Sequence, residues 1–388
     1  IQAIRNATDP TVQSNLKDSL TKVTWNGTFK YRNSSGLIEY SGFTAIDIDL
    51  TPEQMGDLHK FKIAYSTDPS VCGIFFTPRF GVKVVYAHDN TDPGQHKEMY
   101  VQLVEHAALD AANKGFVDGL AAKGFKEGQN ITFDRQNAQA DQSNLQNIAN
   151  RFVNNKVDLI CAIATPAAQT VANITPDIPI VGTAITDYKA AKLIKDNKKP
   201  GTNVTGTTDM NPVEAQLDLA LQLVPGAKAI GTIYSSSEVN SQLQVDILKK
   251  AAAVKNVEIK EATVSTVNDI QQAARSLVGK VDAFYIPTDN ILASAMPTLS
   301  IVTEEAKLPV VCGEGGMVKT GGTATLGIDY YKLGVQTGEM AADILAGKAK
   351  PQDMAIQSQK DFEIVINEAN AKKIGLNIPE EIMKKAAK

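Results

Sequence analysis

"CAIATPAAQT" (Cys161–Thr170) and "FYIPTDNILA" (Phe284–Ala293) decide the fold between them. Each is a short apolar run that ends on a small polar residue and turns at once into a helical pattern. The segments that precede them also match: "IANRFVNNKVD" leads into the first and "AARSLVGKVD" into the second. One strand-to-helix corner is therefore written twice, with Thr165 and Thr288 in equivalent places. Such a repeat predicts two similar lobes.

The surrounding sequence supports that reading. "MYVQLVE", from Met99, has a strand pattern, and "HAALDAANKGFVDGLAAKG" has the apolar spacing of an amphipathic helix closed by a glycine. "NITFDRQNA" and "VDLICAIAT" are strands around the helix "DQSNLQNIANRFVNN". "IPIVGTAIT" and a short helix from Tyr188 follow, and then "KKPGTNVTGTTDMNP", which has neither period. The scheme restarts with "VEAQLDLALQLVPG", "KAIGTIYSS", "EVNSQLQVDILKKAAAVKN", "VEIKEATVS", "VNDIQQAARSLVGK" and "VDAFYIPT". Strands alternating with helices of this length mean parallel sheets covered by helices on both faces.

The expected fold is α/β: two doubly wound parallel-sheet lobes joined by a multi-strand hinge. "ATLGIDYYKLGVQTGEMAADILAG" is expected back on the first lobe, and "DFEIVINEANAKKIGL" on the second. This assigns residues 99–206 and 316–350 to lobe 1, and 207–315 and 351–388 to lobe 2. Residues 1–98 are different, with eleven of the 23 aromatic residues and few alanines. "FTAIDIDL", "CGIFF" and "GVKVVYA" read as strands there, and "HDNTDPGQHKE" reads as a linker. Three Asn-X-Ser/Thr triplets, at Asn6, Asn26 and Asn33, bear on the chain only in a host that glycosylates.

Bulk properties exclude several functions. The formal net charge of -4 gives no basic footprint for nucleic acid. No run of about 18 apolar residues is present to span a membrane. Cys72, Cys161 and Cys312 are too scattered for a disulfide framework, and His59, His88, His96 and His106 lack metal-ligand spacing. No G-x-S-x-G elbow, zinc motif or cofactor signature appears, so neither a cofactor nor catalysis is expected. Convergence of Glu105, Asp187 and Asp289 is the one arrangement left for acid–base work.

In an open parallel sheet, ligands bind outside the carboxyl ends of the strands, against helix N-termini that hold anions. "ATPAAQT" suits that use: Thr165 is placed to cap the helix, Pro166 fits its first turn, and small Ala167 and Ala168 admit a ligand to the backbone. The matching corner carries Asp289 and Asn290. A carboxylate facing a helix N-terminus suits a zwitterion, with the ligand's carboxylate toward Thr165 and its ammonium toward Asp289. Read alone, each residue is an ordinary cap; their equivalence on facing lobes favours a site. Further candidates at strand ends are Glu105, His106, Thr183, Asp187, Asp209, Ser236, Asn240 and Glu314, the last within "GEGGM". Tyr188, Tyr234 and Tyr285 are candidates for an aromatic wall.

"VQLVEHAALDAANKGFVDGL", "AIATPAAQTVAN", "GTTDMNPVEAQLDL", "QQAARSLVGKVDAFYIPTDN" and "GGTATLGIDYYKLGVQTGEMAADIL" resemble, in order, the substrate-binding proteins of one family of bacterial ABC importers. That family includes members associated with tryptophan and other aromatic amino acids. The resemblance runs from about Tyr100 to the C-terminus. It implies a type I periplasmic-binding-protein fold, a monomer, and a small-molecule ligand enclosed between the lobes. It also implies an exported protein, often held by a lipidated cysteine, with separate permease and ATPase partners. Relatives commonly carry Phe where Leu103 stands, beside the expected pocket, and Pro where Ala107 stands. Residues 1–98 lie outside the family pattern. They read as a fragment of another binding protein, as an appended β-rich module, or as a consequence of how the chain is cut. "AIRNATDPTVQSNLKDSLTKVTWNGTFKYRNSSG" resembles the C-terminal region of branched-chain-amino-acid-type receptors. A ligand-sensing module of the same fold is the alternative, favoured by a DNA-binding or membrane segment, neither of which the sequence carries.

Overall fold

The structure is a computed structural model that describes residues 38–40, 43–49, 71–76, 81–87 and 96–386, with side chains from 101 onward. The three glycosylation triplets and the greater part of the expected linker lie outside the described residues. The chain divides into two units, Ile1–Gly94 and Gln95–Lys388. In the first, β1 (Ile38–Tyr40), β2 (Phe43–Asp49), β3 (Val71–Phe76) and β4 (Gly81–Ala87) form an antiparallel sheet in the order β1-β2-β4-β3. The three apolar stretches read as strands there are strands.

The second unit holds two sheets. The chain runs β5 (His96–Gln102), α1 (Ala107–Ala122), β6 (Ile131–Asn137), α2 (Gln142–Asn154), β7 (Leu159–Ile163), α3 (Thr165–Ile174), β8 (Ile180–Ile185) and β9 (Val204–Thr208). It continues through α4 (Val213–Leu223), β10 (Ala229–Ser235), α5 (Val239–Val254), β11 (Glu258–Val264), α6 (Ile270–Leu277), β12 (Ala283–Ile286), α7 (Asn290–Ser294) and α8 (Met296–Glu305). The rest is β13 (Val310–Cys312), α9 (Gly315–Thr320), β14 (Ala324–Gly327), α10 (Tyr330–Leu345), β15 (Gln357–Ser358), β16 (Glu363–Ile366), α11 (Glu368–Ile374) and α12 (Glu380–Lys385).

Lobe 1 has the strand order β15-β9-β8-β7-β5-β6 and lobe 2 the order β11-β10-β12-β13-β14-β16. All pairs are parallel except β14 with β16. Counted within each lobe, the first five strands follow one order, 2-1-3-4-5, which is doubly wound. The two quoted corners leave β7 and β12, the third strand of each series. These strands are buried on both faces, which explains their unbroken apolar runs.

Three segments cross between the lobes, and all three lie later in the chain than the sequence reading set them. β9 is still in lobe 1, so the first crossing follows Thr208. β14 pairs with β13 in lobe 2, and α9 carries the crossover between them; only α10 returns to lobe 1. Residues 316–327 thus belong to lobe 2, because the glycine-rich "GEGGM" opens a helix of that sheet instead of ending it. β15 pairs with β9 in lobe 1, so the last crossing follows Ser358, not residue 350. Side chains tie the crossings together: Asn211 Oδ1 accepts from the Ile328 amide at 3.1 Å, and Gln359 Nε2 donates to the Asp329 carbonyl at 2.7 Å. The helix expected from Tyr188 is a capped turn, because Asp187 accepts from the amides of Lys189 and Ala190 at 2.8 Å each. The first strand begins at His96, inside the stretch read as linker.

In lobe 1, α10 lies along α1 with the backbones almost touching. A Cβ added to Gly334 would run into the Ala112 carbonyl, and one added to Gly115 into the Tyr331 carbonyl. Gly334→Ala is therefore expected to destabilise the protein by about 1–3 kcal/mol, the usual cost of overpacking. A lowered urea midpoint relative to wild type is the check.

Candidate functional site

The carboxyl ends of both sheets face one small cavity of about 20 Å³. It is lined from lobe 1 by His106, Leu109, Ala184, Thr186 and Tyr330, from lobe 2 by Asn240, Thr288, Asp289, Asn290, Ala293 and Glu314, and from the first crossing by Asp209. That volume holds about one water, so a larger ligand enters only as the lobes part. Open grooves of about 440 and 650 Å³ run along the outer edge of lobe 1, sharing Pro176, Thr202 and Asn203. They are larger, but the small cavity is where buried polar groups of both lobes converge, and convergence makes a site.

Two hydrogen bonds join the lobes across it. His106 Nε2 lies 3.4 Å from Asn290 Oδ1, and the hydroxyls of Thr186 and Thr288 lie 3.4 Å apart. On the lobe 1 side, β7 gives way to α3 through Ala164 (φ 82°), and β8 carries Ala184 at φ 55° near its end. Both are in the left-handed region, where a non-glycine residue stores about 1–3 kcal/mol of strain. Neighbouring strands of one cleft wall thus carry strained corners.

On the lobe 2 side, three buried acids are helix N-caps. Asp289 caps α7: its Oδ1 accepts from the Leu292 amide at 2.9 Å, and its Oδ2 from the Ser235 amide at 2.6 Å and from Ser241 Oγ at 2.8 Å. Glu314 caps α9, accepting from the amides of Gly316 and Met317. Glu238, at the N-cap position of α5, accepts from the Asn290 and Ile291 amides and from the side-chain nitrogens of Asn240 and Asn290. A fourth acid, Asp209, accepts from Thr186 Oγ1 at 3.0 Å and from the Tyr330 hydroxyl at 2.6 Å.

Burial pushes all four carboxyls upward, Glu314 to about 7 and Glu238, with the added repulsion of Asp289, to about 8. It also pushes the His106 imidazole down to about 4. The consequence for stability has a definite sign. Below pH 6.5 the His106 effect, lost on acidification, opposes that of the acids. Above pH 6.5 only the acids remain: their raised values favour folding when protonated, and this is lost as pH rises through about 7 and 8. The thermal midpoint of the ligand-free protein is therefore expected to fall between pH 6.5 and 8, and Glu314→Gln to shrink that fall. A midpoint that rises over this interval would contradict the assignment.

Of the residues singled out in the sequence, the structure brings His106, Asp209, Asn240, Asp289, Asn290 and Glu314 to the cavity. The others stand elsewhere. Glu105 and Ser236 are exposed; the buried residue at the end of β10 is Ser235, one position earlier. Asp187 caps its own turn, half-buried. Thr183 is inside β8, accepting from Thr207 Oγ1, and Ala167 is in the lobe 1 core. Thr165 is the first residue of α3, not its cap, because Ala164 takes that position; its buried hydroxyl has no partner among the described residues and does not line the cavity. Asp289 does reach the cavity, but as a saturated cap.

Tyr188, Tyr234 and Tyr285 are buried structural residues, whose hydroxyls donate to the Gly182 and Thr207 carbonyls, to Glu261 and to Gln216. Leu103 packs in the lobe 1 core. Tyr330, Thr186 and Glu238 were missed. Among the described residues no cluster of His, Cys, Asp or Glu has the makings of a metal site, and no helix is long and apolar enough to cross a membrane.

Residues 99–388 match the model of a family described as ABC transporter substrate binding protein. The chain belongs to that family. Residues 15–124 match a second model, the BT4734-like N-terminal domain, which overlaps the first over β5 and α1. That model is not the branched-chain-amino-acid-type receptor expected for these residues from the sequence.

The chain is 47% identical over 287 residues to a tyrosine-binding protein of Clostridioides difficile (strain R20291), covering 74% of this chain and 83% of that one. It is similar to the crystal structure of an ABC domain from Streptococcus pneumonia in complex with L-Trp, with 40% identity and a TM-score of 0.73 over 76% of this chain and 99% of that one. The ligand-free, open structure of CD0873, a substrate binding protein with adhesive properties from Clostridium difficile, is 46% identical over 75% and 98% of the two chains, with a TM-score of 0.59. The fold as a whole superposes better on the L-Trp complex than on the open structure, despite the higher identity to the latter. This family-member architecture is the type I periplasmic-binding-protein fold of two parallel-sheet lobes.

Proposed function

We propose that this substrate-binding protein captures a free aromatic amino acid between its lobes, outside the cytoplasm and as a monomer. It then presents the ligand to the permease and ATPase subunits of an ABC importer. The observation that carries the reading is the cleft itself: three buried acids and two amides converge where cross-lobe hydrogen bonds shut it, and relatives of this chain bind tyrosine or hold L-Trp.

The ligand's polarity follows from that wall. An ammonium suits lobe 2, whose buried acids Glu238, Asp289 and Glu314 carry no salt bridge among the described residues. Its direct partner is Asn240 Oδ1 rather than Asp289, because donors already occupy both Asp289 oxygens. A carboxylate suits the N-terminus of α1, where His106 makes no side-chain cap bond. Leu109, Ala293 and Tyr330 offer apolar surface for a ring.

No covalent chemistry is required. The ligand needs only to favour the closed arrangement, and moving a 1:99 population to 99:1 takes roughly 5.5 kcal/mol. Two or three charge-assisted hydrogen bonds at about 1.5–3 kcal/mol each reach that figure.

Calorimetry with L-tyrosine, L-tryptophan, L-phenylalanine and L-leucine tests this. One-to-one binding of at least one aromatic amino acid, at micromolar affinity or tighter and well ahead of L-leucine, is expected, with the ligand recovered unchanged by NMR. Absence of binding by all three aromatic amino acids, or their conversion to product, would overturn the proposal.

A further inference from the structure

Glu238 does not line the cavity, yet it controls two residues that do. It is buried, and every hydrogen bond it makes among the described residues is received: from the Asn290 amide at 3.1 Å, from the Ile291 amide at 3.4 Å, from Asn240 Nδ2 at 3.0 Å and from Asn290 Nδ2. Burial raises its value to about 8, but an incoming ammonium favours the ionised form, and in that form the carboxylate accepts only, so the nitrogen end of each amide faces it.

For Asn240 the second amide hydrogen goes to the Thr288 carbonyl, also at 3.0 Å. With both hydrogens committed, Oδ1 is the atom left over. Asn240 is 5% exposed, it forms part of the cavity wall, and its Oδ1 is buried with no partner among the described residues.

For Asn290 the same orientation leaves Oδ1 facing His106 Nε2 at 3.4 Å. An amide oxygen cannot donate, so Nε2 must carry the proton, and Nδ1 is left with a bare lone pair. That Nδ1 is likewise buried without a partner among the described residues. Burial keeps the imidazole neutral, its value lowered to about 4, so Nδ1 stays an acceptor at ordinary pH. Two orphaned acceptors, one on each lobe, thus follow from amide orientations that the Glu238 carboxylate sets, with the Thr288 carbonyl beside it for Asn240. Unpaired buried acceptors are costly unless a ligand donates to them.

We propose that Glu238 is a positioning residue that fixes the polarity of the cleft: it turns the oxygens of Asn240 and Asn290 forward, so that the cleft meets its ligand with acceptors and selects for the ligand's ammonium group. This rests on the amino-acid reading above and adds to it the residue that makes the site demand a donor.

The test is Glu238→Gln. The backbone amides of Asn290 and Ile291 cannot turn and hold the glutamine oxygen at the Oε1 position. Its NH2 then falls at Oε2, which receives both asparagine nitrogens, so an asparagine there must turn its nitrogen into the cleft. Calorimetry compares L-tyrosine with 3-(4-hydroxyphenyl)propionate, which lacks only the ammonium. Wild type is expected to prefer L-tyrosine by roughly 100-fold or more, because a site built for a donor rejects the analogue without it. In the variant that ratio is expected to fall at least about tenfold, through loss of L-tyrosine affinity.

An unchanged ratio, or equal weakening toward both probes, would mean that Glu238 is merely structural and would overturn the inference. Asn240→Ala, which deletes the acceptor and leaves Glu238 in place, should lower the same ratio; if it does not, the inference fails even where the first variant cannot be purified folded. Wild type binding L-tyrosine no better than the analogue also sinks it while leaving capture intact. Wild type binding neither probe removes the capture of tyrosine itself.

Discussion

Four carboxyl groups buried in one cleft, with no salt bridge to any of them among the described residues, set the terms for the rest of the molecule. Charges removed from water must be compensated by fixed dipoles or partners. Three of the four are compensated in one way, by backbone amides at helix N-termini: Asp289 and Glu238 both accept from the first amides of α7, and Glu314 from those of α9, where unpaired N–H groups and the positive end of the helix dipole converge. Parallel strands deliver every following helix to the same edge of the sheet, so the fold that creates the cleft also supplies the donors that make an acidic wall tolerable. An ammonium group complements that wall, whereas a second anion there would meet both the charge and the forward-turned amide oxygens.

The two lobes share one topology and differ in chemistry. Lobe 2 presents acids and amides. Lobe 1 presents the strained corners at Ala164 and Ala184, a neutral histidine and the start of α1. That asymmetry gives a zwitterion one orientation. Each lobe behaves as a body because its interior is tightly packed, as between α1 and α10, where glycines bring backbone to backbone. The three crossings, tied by Asn211 and Gln359, are the places where φ/ψ change can be absorbed without unpacking either core.

Much of this was legible in the sequence because parallel-sheet proteins announce themselves: unbroken apolar runs at β7 and β12, each turning into a helix, gave the repeat and the edge that carries the site. Asp209, Asn240, Asp289, Asn290 and Glu314 were found because polar residues at strand ends have few other places to go. Errors of one residue had a simple cause. β10 is buried on both faces and ends at Ser235, so Ser236 lies just past the buried strand, and a left-handed Ala164 shifted Thr165 from the cap into the helix. Glu238 was invisible because an acid before a helix looks like a solvated cap, and only the tertiary placement of Asn240 and Asn290 around it reveals otherwise. Tyr330 was missed because its side chain reaches the cavity from the head of α10, just past a crossing that the sequence reading set several residues too early.

Distance measurement by pulsed electron spin resonance tests the closing of two lobes on a ligand most directly, with spin labels at exposed positions 147 on α2 and 271 on α6, one on each lobe. Saturating L-tyrosine, or whichever aromatic amino acid calorimetry shows to bind best, should collapse the interlobe distances into a single narrow distribution at the short end of the range sampled without ligand. A distribution that stays the same, or lengthens, while binding is complete would show that the ligand is not gripped between the lobes.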